Sequence, residues 1–140
     1  MIAIAVNAKA QRPGVCNAME ALLIDRACAA QAVPTLVAAL RAAGVQVRGC
    51  PQTCALVGDQ ATPAVPEDWG REFLDLRCLC AVVDGVQGAI DHICRYGSHH
   101  TEAIVAGDPA IAEQFVGGVD ASCVAVNAST LRRAFRASPL

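Results

Sequence analysis

The apolar residues of this chain fall in short runs that alternate with stretches of helical spacing. The runs have the length of strands, and most are bounded by glycine, proline or asparagine. The longest, LRCLCAVV, is apolar at nearly every position, which is typical of a strand covered on both faces. Six strands are predicted, at residues 3–6, 19–24, 45–49, 76–83, 102–106 and 122–128.

Three stretches between these strands place apolar residues on one face of a helix. The first ends near Gly44 and contains Pro34, which we expect in the first turn or at a kink. The second ends at Gly97, and the third starts at Asp108, an N-cap acceptor followed by proline. Residues 50–71 are rich in proline and predict a long loop with one helical turn. The helical faces consist of Val33, Leu36, Val37 and Leu40, of Ala89, Ile90, Ile93 and Cys94, and of Ile111 and Phe115.

Strands that alternate with helices of this length form βαβ units. The predicted fold class is therefore α/β, a mostly parallel sheet with flanking helices. At 140 residues the chain is expected to form one domain with a real core.

The composition excludes some classes of partner. A formal net charge of −2 gives no electrostatic footprint for nucleic acid or an anionic membrane. No apolar run approaches the roughly 20 residues that span a bilayer, and the start MIAIAV lacks the features of a signal peptide. A cytoplasmic chain is the resulting prediction. The mean hydropathy of +0.40 is high for such a chain and predicts exposed apolar faces that associate with a partner or form a homo-oligomer.

Eight cysteines are spread along the predicted strands and helices without a C-x-x-C motif. In a cytoplasmic setting they stay reduced, and we expect most to be small buried hydrophobic residues. A zinc site made from these thiols with His99 and His100 is a distant alternative, because the spacings match no zinc template. No metal ligand is predicted.

Cys16 differs from the other cysteines in its surroundings. It follows a Pro-Gly turn, with Lys9 and Arg12 shortly before it and an apolar run after it. Nearby cations and free backbone N–H groups are what turn a thiol into a nucleophilic thiolate. Two interpretations stay open on these residues alone: a buried inert thiol and a catalytic nucleophile.

Two further polar segments carry candidate chemistry. His99 and His100 precede a predicted strand, whereas ligands of open α/β sheets collect where strands end, so a solvated loop pair is the alternative. The segment VNAST, residues 126–130, does follow a strand, and an ordinary turn is its alternative. No G-x-G-x-x-G, P-loop or H-E-x-x-H motif occurs.

Three stretches taken together resemble one family. NAKAQRPGVCNAMEALLID is similar to the catalytic-cysteine segment of gamma-glutamyl phosphate reductase, a family of the aldehyde dehydrogenase superfamily. VDGVQGAIDHICRYGSHHTEAI resembles the signature of that family, and EQFVGGVDASCVAVNAST resembles the segment that follows it. The similarity extends from about residue 4 to residue 130 and implies the catalytic-domain fold of an aldehyde dehydrogenase.

The resemblance implies a reaction and a set of residues. A cysteine thiolate attacks gamma-glutamyl phosphate and expels phosphate, and NADPH reduces the thioester to glutamate-5-semialdehyde, a step of proline biosynthesis. Cys16 matches the nucleophile, and its N–H with that of Asn17 would hold the oxyanion. Asn127 resembles a residue at the substrate end, with Ser129 and His100 as neighbours. Glu72 resembles the glutamate that contacts the nicotinamide ribose.

The resemblance also implies what lies outside the chain. Family members are roughly three times as long, so most of the NADP(H) site is expected on a domain absent from these residues, and the lone chain is expected not to turn over. Residues 1–130 form the predicted catalytic domain, and residues 131–140, LRRAFRASPL, a divergent frayed tail. The alternative is a non-enzymatic remnant or a partner-binding fragment without turnover.

Overall fold

The computed structural model describes residues 1–131, which form a four-stranded sheet, a separate two-stranded sheet and flanking helices. Residues 132–140, most of the predicted tail, lie outside the described part. In chain order the elements are α1 (Ile2–Ala10), β1 (Ala21–Asp25), α2 (Arg26–Ala42), β2 (Gln46–Gly49), α3 (Pro51–Val57), β3 (Thr62–Pro63), β4 (Arg77–Val83), α4 (Gly85–Tyr96), β5 (Thr101–Ile104), α5 (Pro109–Gly118) and β6 (Cys123–Val126).

Every strand pair is parallel, which confirms the predicted fold class. The larger sheet has the order β1-β4-β2-β3, and the smaller sheet consists of β5 and β6. β4 lies between β1 and β2, with Leu79 opposite both Ala21 and Arg48. Its residues Cys78–Ala81 are buried because neighbouring strands and helices cover them, as the continuous apolar run predicts.

The hydrophobic core centres on α2. Val33, Leu36, Val37 and Leu40 are all fully buried, as the helical spacing predicts. The helix starts at the Asp25 side chain, which accepts a hydrogen bond from the N–H of Ala27. The first helical residue is Arg26, eight positions before Pro34. Pro34 therefore lies inside α2 and not in its first turn.

Two predicted elements are wrong. Residues 3–6 belong to α1 and not to a strand; a short apolar run does not distinguish the two, and here Ala5, Ala8 and Lys9 form a buried helical face. Residues 50–71 contain α3, β3 and two single-turn 3-10 helices. The prolines in that stretch favour a loop, but Pro51 is the first residue of α3, a position at which proline favours a helix.

One side-chain orientation also differs from the prediction. Phe115 on α5 is 2% exposed, whereas Ile111 is 40% exposed. Ile111 lines a cavity, and its side chain is exposed because it faces this open space. Within residues 1–131 no helix combines the length and apolarity needed to cross a bilayer.

A buried carboxylate holds the connection between β3 and β4 in place. Asp68 is buried, and its Oδ2 accepts hydrogen bonds from the N–H of Val65 at 3.0 Å and from Arg48 Nη1 at 3.1 Å. Burial raises the pKa of the Asp68 carboxyl, but the hydrogen bonds from Val65 and Arg48 and the charge of Arg48 outweigh it, so the net pKa lies below 3.8.

We therefore expect Asp68→Asn to lower the free energy of unfolding at pH 7 by about 1–2 kcal/mol, because a charge-assisted hydrogen bond is lost. The pKa of this acid is depressed by folding, so its stabilising contribution is complete above 3.8 and decreases as the pH falls below that value. Urea unfolding at pH 7 and pH 3 checks this. Asp59→Asn, at an exposed site, serves as the control; a deficit of Asp68→Asn that is equal at both pH values would contradict the assignment.

Candidate active site around Cys16

Cys16 lies in the connection between α1 and β1 and is exposed. This connection folds back on the end of the helix, since the N–H of Met19 donates to the carbonyl of Ala8 at 2.8 Å. The N–H of Ala18 donates to the carbonyl of Val15 at 3.1 Å and closes a tight turn around the cysteine. The Pro-Gly sequence before Cys16 thus produces a turn that presents the thiol on the surface.

An ion pair fixes both ends of this turn. Lys9, the only lysine in the chain, is 0% exposed, and its Nζ lies 3.2 Å from Glu20 Oε2. Lys9 is near the end of α1 and Glu20 stands just before β1, so the pair bridges the segment that contains Cys16. The sequence predicts Lys9 as a cation beside the Cys16 thiol, but the Lys9 ammonium group forms an ion pair with Glu20.

Glu20 also holds the segment that follows the 3-10 helices. Its Oε2 accepts a hydrogen bond from the N–H of Phe73 at 3.0 Å, and its Oε1 accepts one from the N–H of Leu74 at 3.4 Å. Leu74 has a φ of 56°, a left-handed conformation that is strained for leucine and often found near functional sites. A Cβ at Gly14 would lie 3.5 Å from the carbonyl oxygen of Leu74, so the cysteine turn lies against this segment.

The cysteine turn also contacts the last predicted motif. Asn17 Nδ2 donates a hydrogen bond of 3.0 Å to the carbonyl of Thr130, which connects residues 113 positions apart. Next to Thr130, Ser129 is buried and its Oγ accepts a hydrogen bond from the N–H of Leu131. The segment VNAST therefore reaches the cysteine turn through its last residues.

A cavity of about 710 Å³ opens beside Cys16. Cys16, Glu72 and Thr130 all line it, so the nucleophile and the cofactor residue suggested by the resemblance face the same space. Among the hydrogen bonds within residues 1–131, none has the backbone N–H of Cys16 or Asn17 as its donor, and their binding of an oxyanion stays a prediction.

Two other predicted residues have local partners. Asn127, with a φ of 53°, uses its side-chain amide on Ala106: Oδ1 accepts from the N–H and Nδ2 donates to the carbonyl. His100 is exposed, and its Nδ1 lies 2.7 Å from Thr101 Oγ1. Of residues 1–131, the cavity wall includes neither of them, so their predicted contact with substrate stays a prediction.

The other thiols show why Cys16 stands apart. The expectation that most cysteines are buried is wrong, because only Cys50, Cys78 and Cys80 are. Burial raises the pKa of Cys78 to about 12 and that of Cys80 to about 11, which leaves both as unreactive thiols. In the described part of the chain, no group of three or more His, Cys, Asp or Glu side chains is placed to hold a metal ion.

Cys50 is buried as well, but its pKa is shifted in the opposite direction from those of Cys78 and Cys80. Burial raises the pKa of the Cys50 thiol, but hydrogen bonds from Thr53 and Val82 outweigh this effect and lower it overall. Its Sγ caps α3, accepting from the N–H of Thr53, so the thiol is used within the fold. Cys16 and Cys28 remain as exposed thiols that line the cavity.

Sequence reasoning selected Cys16 but missed what holds it. The sequence gives one indication of the Lys9–Glu20 pair, namely the single lysine in a strongly apolar chain. From the sequence alone, this lysine is instead expected beside the Cys16 thiol. The bond from Asn17 to Thr130 joins distant parts of the sequence and has no local signal at all.

Comparison with known proteins shows which sequences and structures this chain is similar to. No protein-family model matches the chain. The gamma-glutamyl phosphate reductase of Sulfurovum sp. is 50% identical over 129 residues, which are 92% of this chain and 31% of that protein. The crystal structure of gamma-glutamyl phosphate reductase from Thermotoga maritima superimposes with a TM-score of 0.90 at 44% identity, again over 92% of this chain and 31% of the other.

A more distant structure shows the fold alone. An acetylating aldehyde dehydrogenase from Geobacillus thermoglucosidasius matches with a TM-score of 0.60 at 19% identity, over 92% of this chain and 38% of that protein. The resemblance seen in the three sequence motifs is confirmed: over 92% of its length, this chain is homologous to about one third of a gamma-glutamyl phosphate reductase.

Proposed function

We propose that residues 1–130 carry the acyl-transfer half of an acyl-phosphate reduction, with Cys16 as the nucleophile. The observation that carries this proposal is the position of the Cys16 thiol. It is exposed at a cavity of about 710 Å³, in a turn held by Lys9–Glu20 and Asn17–Thr130. The substrate is gamma-glutamyl phosphate, by homology with reductases of that name.

In the proposed step, the Cys16 thiolate attacks the acyl carbon of the substrate, and a C–S bond forms. The carbonyl oxygen becomes an oxyanion that accepts hydrogen bonds from the N–H groups of Cys16 and Asn17. When the carbonyl reforms, the C–O bond to phosphate breaks and phosphate leaves with the electron pair. A thioester on Cys16 results, and a thiolate suits this role because it is both a strong nucleophile and a good leaving group.

NADPH, when bound, supplies the hydride that converts this thioester to the level of an aldehyde. Among the described residues, Glu72 fits a contact to the cofactor, since it is exposed and lines the same cavity as Cys16. The sequence holds no glycine-rich phosphate-binding element, so most of the cofactor site is assigned to other parts of a reductase. A cytoplasmic setting, which keeps thiols reduced, fits a free nucleophilic cysteine.

The first test separates acylation from reduction. We expect a polypeptide of these 140 residues, given gamma-glutamyl phosphate generated in situ by a glutamate kinase, to acquire about one hydroxylamine-sensitive glutamyl group. Intact-protein mass spectrometry detects this adduct. Addition of NADPH is expected to give no steady oxidation at 340 nm, because most of the cofactor site lies elsewhere.

Matched variants assign the adduct. Cys16→Ser is expected to abolish it, whereas Cys28→Ser is expected to retain it, although Cys28 is exposed and lines the same cavity. An adduct that survives in Cys16→Ser would contradict the nucleophile. Steady NADPH oxidation by the chain alone would contradict the proposal that most of the cofactor site lies in other parts of a reductase. The absence of any adduct would favour a fragment that only binds a partner.

The second test concerns the ion pair that holds the cysteine turn. Glu20→Gln leaves the buried Lys9 ammonium without a countercharge, so we expect a loss of roughly 3 kcal/mol in the free energy of unfolding. Lys9→Met is expected to cost less, because its apolar chain fills the same space and Glu20 keeps the N–H groups of Phe73 and Leu74. Urea unfolding measures both effects.

A second measurement distinguishes positioning from stability. At a temperature at which circular dichroism shows Lys9→Met to be folded, the acylation rate of Cys16 is expected to fall at least fivefold and to be recovered by Lys9→Arg. Asp84→Asn breaks the exposed Arg26–Asp84 pair and is expected to change neither the free energy of unfolding nor the acylation rate of Cys16. An unchanged rate in Lys9→Met would show that the pair only stabilises the fold.

A further inference from the structure

Three thiols, those of Cys50, Cys54 and Cys80, form a cluster at the start of α3, which we call the thiol cluster. Cys50 directly follows β2, Cys54 is in the first turns of α3, and Cys80 is in β4. The N–H of Cys50 donates to the carbonyl of Cys80 at 3.0 Å, which holds the end of β2 against β4. Among residues 1–131, the wall of the cavity beside Cys16 includes none of these three cysteines, so they take no part in the acyl transfer proposed above.

Hydrogen-bond donors surround the sulfur of Cys50. Its Sγ accepts from the N–H of Val82 at 3.4 Å and from the N–H of Thr53 at 3.5 Å. Thr53 Oγ1 lies 3.4 Å from this sulfur and 3.0 Å from the carbonyl oxygen of Cys80. The single proton of the Thr53 hydroxyl can therefore turn from the carbonyl to the sulfur when the Cys50 thiol ionises, so this pocket accommodates a thiolate.

The charges in and around the thiol cluster favour ionisation of Cys50 over that of its neighbours. The pKa of Arg26 is raised mainly by Asp84 and also by Cys50, so the guanidinium acts on this sulfur. The pKa of Cys54 is raised by burial and by the charge of Cys50, and burial raises the pKa of Cys80 to about 11. The cluster thus combines one thiol prepared to react as a thiolate with neighbours that keep their protons.

Cys54 is the neighbour best placed to react with Cys50. Its N–H donates to the carbonyl of Cys50 at 3.0 Å, so the two residues have the spacing of one helical turn. Its Sγ points back toward β2, since it lies 3.5 Å from the carbonyl oxygen of Gly49 and 3.1 Å from where a Cβ on Gly49 would be. Cys80 is 0% exposed on a strand that pairs on both sides, so moving it would disturb the sheet.

We propose that the thiol cluster is a site of reversible oxidation, at which Cys50 reacts with hydrogen peroxide and Cys54 then closes a disulfide with it. The oxidant has to be small, because only 7% of Cys50 is exposed. The site does not involve Cys16, so it stands or fails separately from the acyl transfer.

The oxidation takes place in two balanced steps. The Cys50 thiolate attacks one oxygen of the peroxide, an S–O bond forms, the O–O bond breaks, and hydroxide leaves with the electron pair. The sulfur has then lost two electrons to the peroxide and is a sulfenic acid. In the second step the Cys54 sulfur attacks the oxidised sulfur, an S–S bond forms, the S–O bond breaks, and the oxygen leaves as water with the proton of Cys54.

The disulfide is expected to change the start of α3. Side chains one helical turn apart have Cβ atoms about 5–6 Å apart, whereas a disulfide needs about 3.5–4.5 Å. The first turn of α3 therefore has to deform, and the Cys50 sulfur gives up the N–H groups of Thr53 and Val82. Thiol reductants reverse the bond and restore the cap of the helix.

Peptide mapping of the 140-residue chain after treatment with hydrogen peroxide tests the pairing. Trypsin releases residues 49–71 as one peptide that contains Cys50 and Cys54, and residues 78–95 as another that contains Cys80. We expect the first peptide to lose two hydrogens and to become resistant to iodoacetamide, and dithiothreitol to restore it. Hydrogen exchange in the oxidised chain is expected to be at least fivefold faster in α3 and unchanged in α2.

Serine variants separate the roles of the two thiols. Cys54→Ser is expected to form no disulfide and to accumulate a sulfenic acid on Cys50 that dimedone traps. Cys50→Ser, whose hydroxyl can still cap α3, is expected to lower the rate of oxidation of Cys54 at least tenfold. Cys28→Ser removes an exposed thiol outside the cluster and is the matched control, with an unchanged rate of disulfide formation. The disulfide is expected to form in Cys16→Ser as well.

Each other outcome overturns the proposal. A cross-link between the two tryptic peptides would make Cys80 the partner of the reaction, and dimedone on a residue other than Cys50 would reassign the first step. Oxidation of Cys16 and Cys28 that leaves residues 49–71 unchanged would show that the cluster is inert. Unchanged exchange in α3 would contradict the deformation of its first turn, and loss of the disulfide in Cys16→Ser would contradict the independence from the acyl transfer.

Discussion

The arrangement around Cys16 depends on a charge that is buried with its countercharge. Lys9 is enclosed at the end of α1, and desolvation of an ammonium group is tolerated only because Glu20 lies beside it. Glu20 in turn fixes the backbone of Phe73 and Leu74. One pair of charges therefore aligns a helix, a strand and a loop, and the exposed thiol occupies the turn between the helix and the strand. An apolar pair of similar size would fill the space without setting the direction of these backbone groups.

The parts of the fold that the sequence predicted share a strong local pattern. The residues of α2 repeat at helical spacing, and β4 is apolar throughout, so each pattern allows one interpretation. The parts that were missed have weak or shared patterns. AIAV suits a strand as well as the alanine-rich helix it forms, and Pro51 marks both the end of one element and the start of another. Packing decides such cases, and packing is not a local property.

The candidate site shows the same division. The sequence could single out Cys16 as a candidate because its turn residues and the motif that resembles the reductases are contiguous. The contact between Asn17 and Thr130 is set by the path of the whole chain, and so is the common cavity of Cys16 and Glu72. The Asn127 amide forms two hydrogen bonds with the backbone of Ala106, a contact without a local sequence signal, and its role at the substrate end stays a prediction. The division of the strands into two sheets was equally invisible, because the spacing of apolar residues does not determine strand order.

The bond from Asn17 to Thr130 has a consequence for dynamics. The two-stranded sheet with α5 packs mainly through α4, whereas the core around α2 lies in the other part of the molecule. No residue of β5, β6 or α5 belongs to the buried core cluster, so we expect this unit to open locally more readily than the core. Because residues 127–131 extend from the end of β6 to the cysteine turn, each opening of that segment releases the tether on the thiol. The presentation of Cys16 is thus linked to a part of the described structure that lies outside the hydrophobic core around α2.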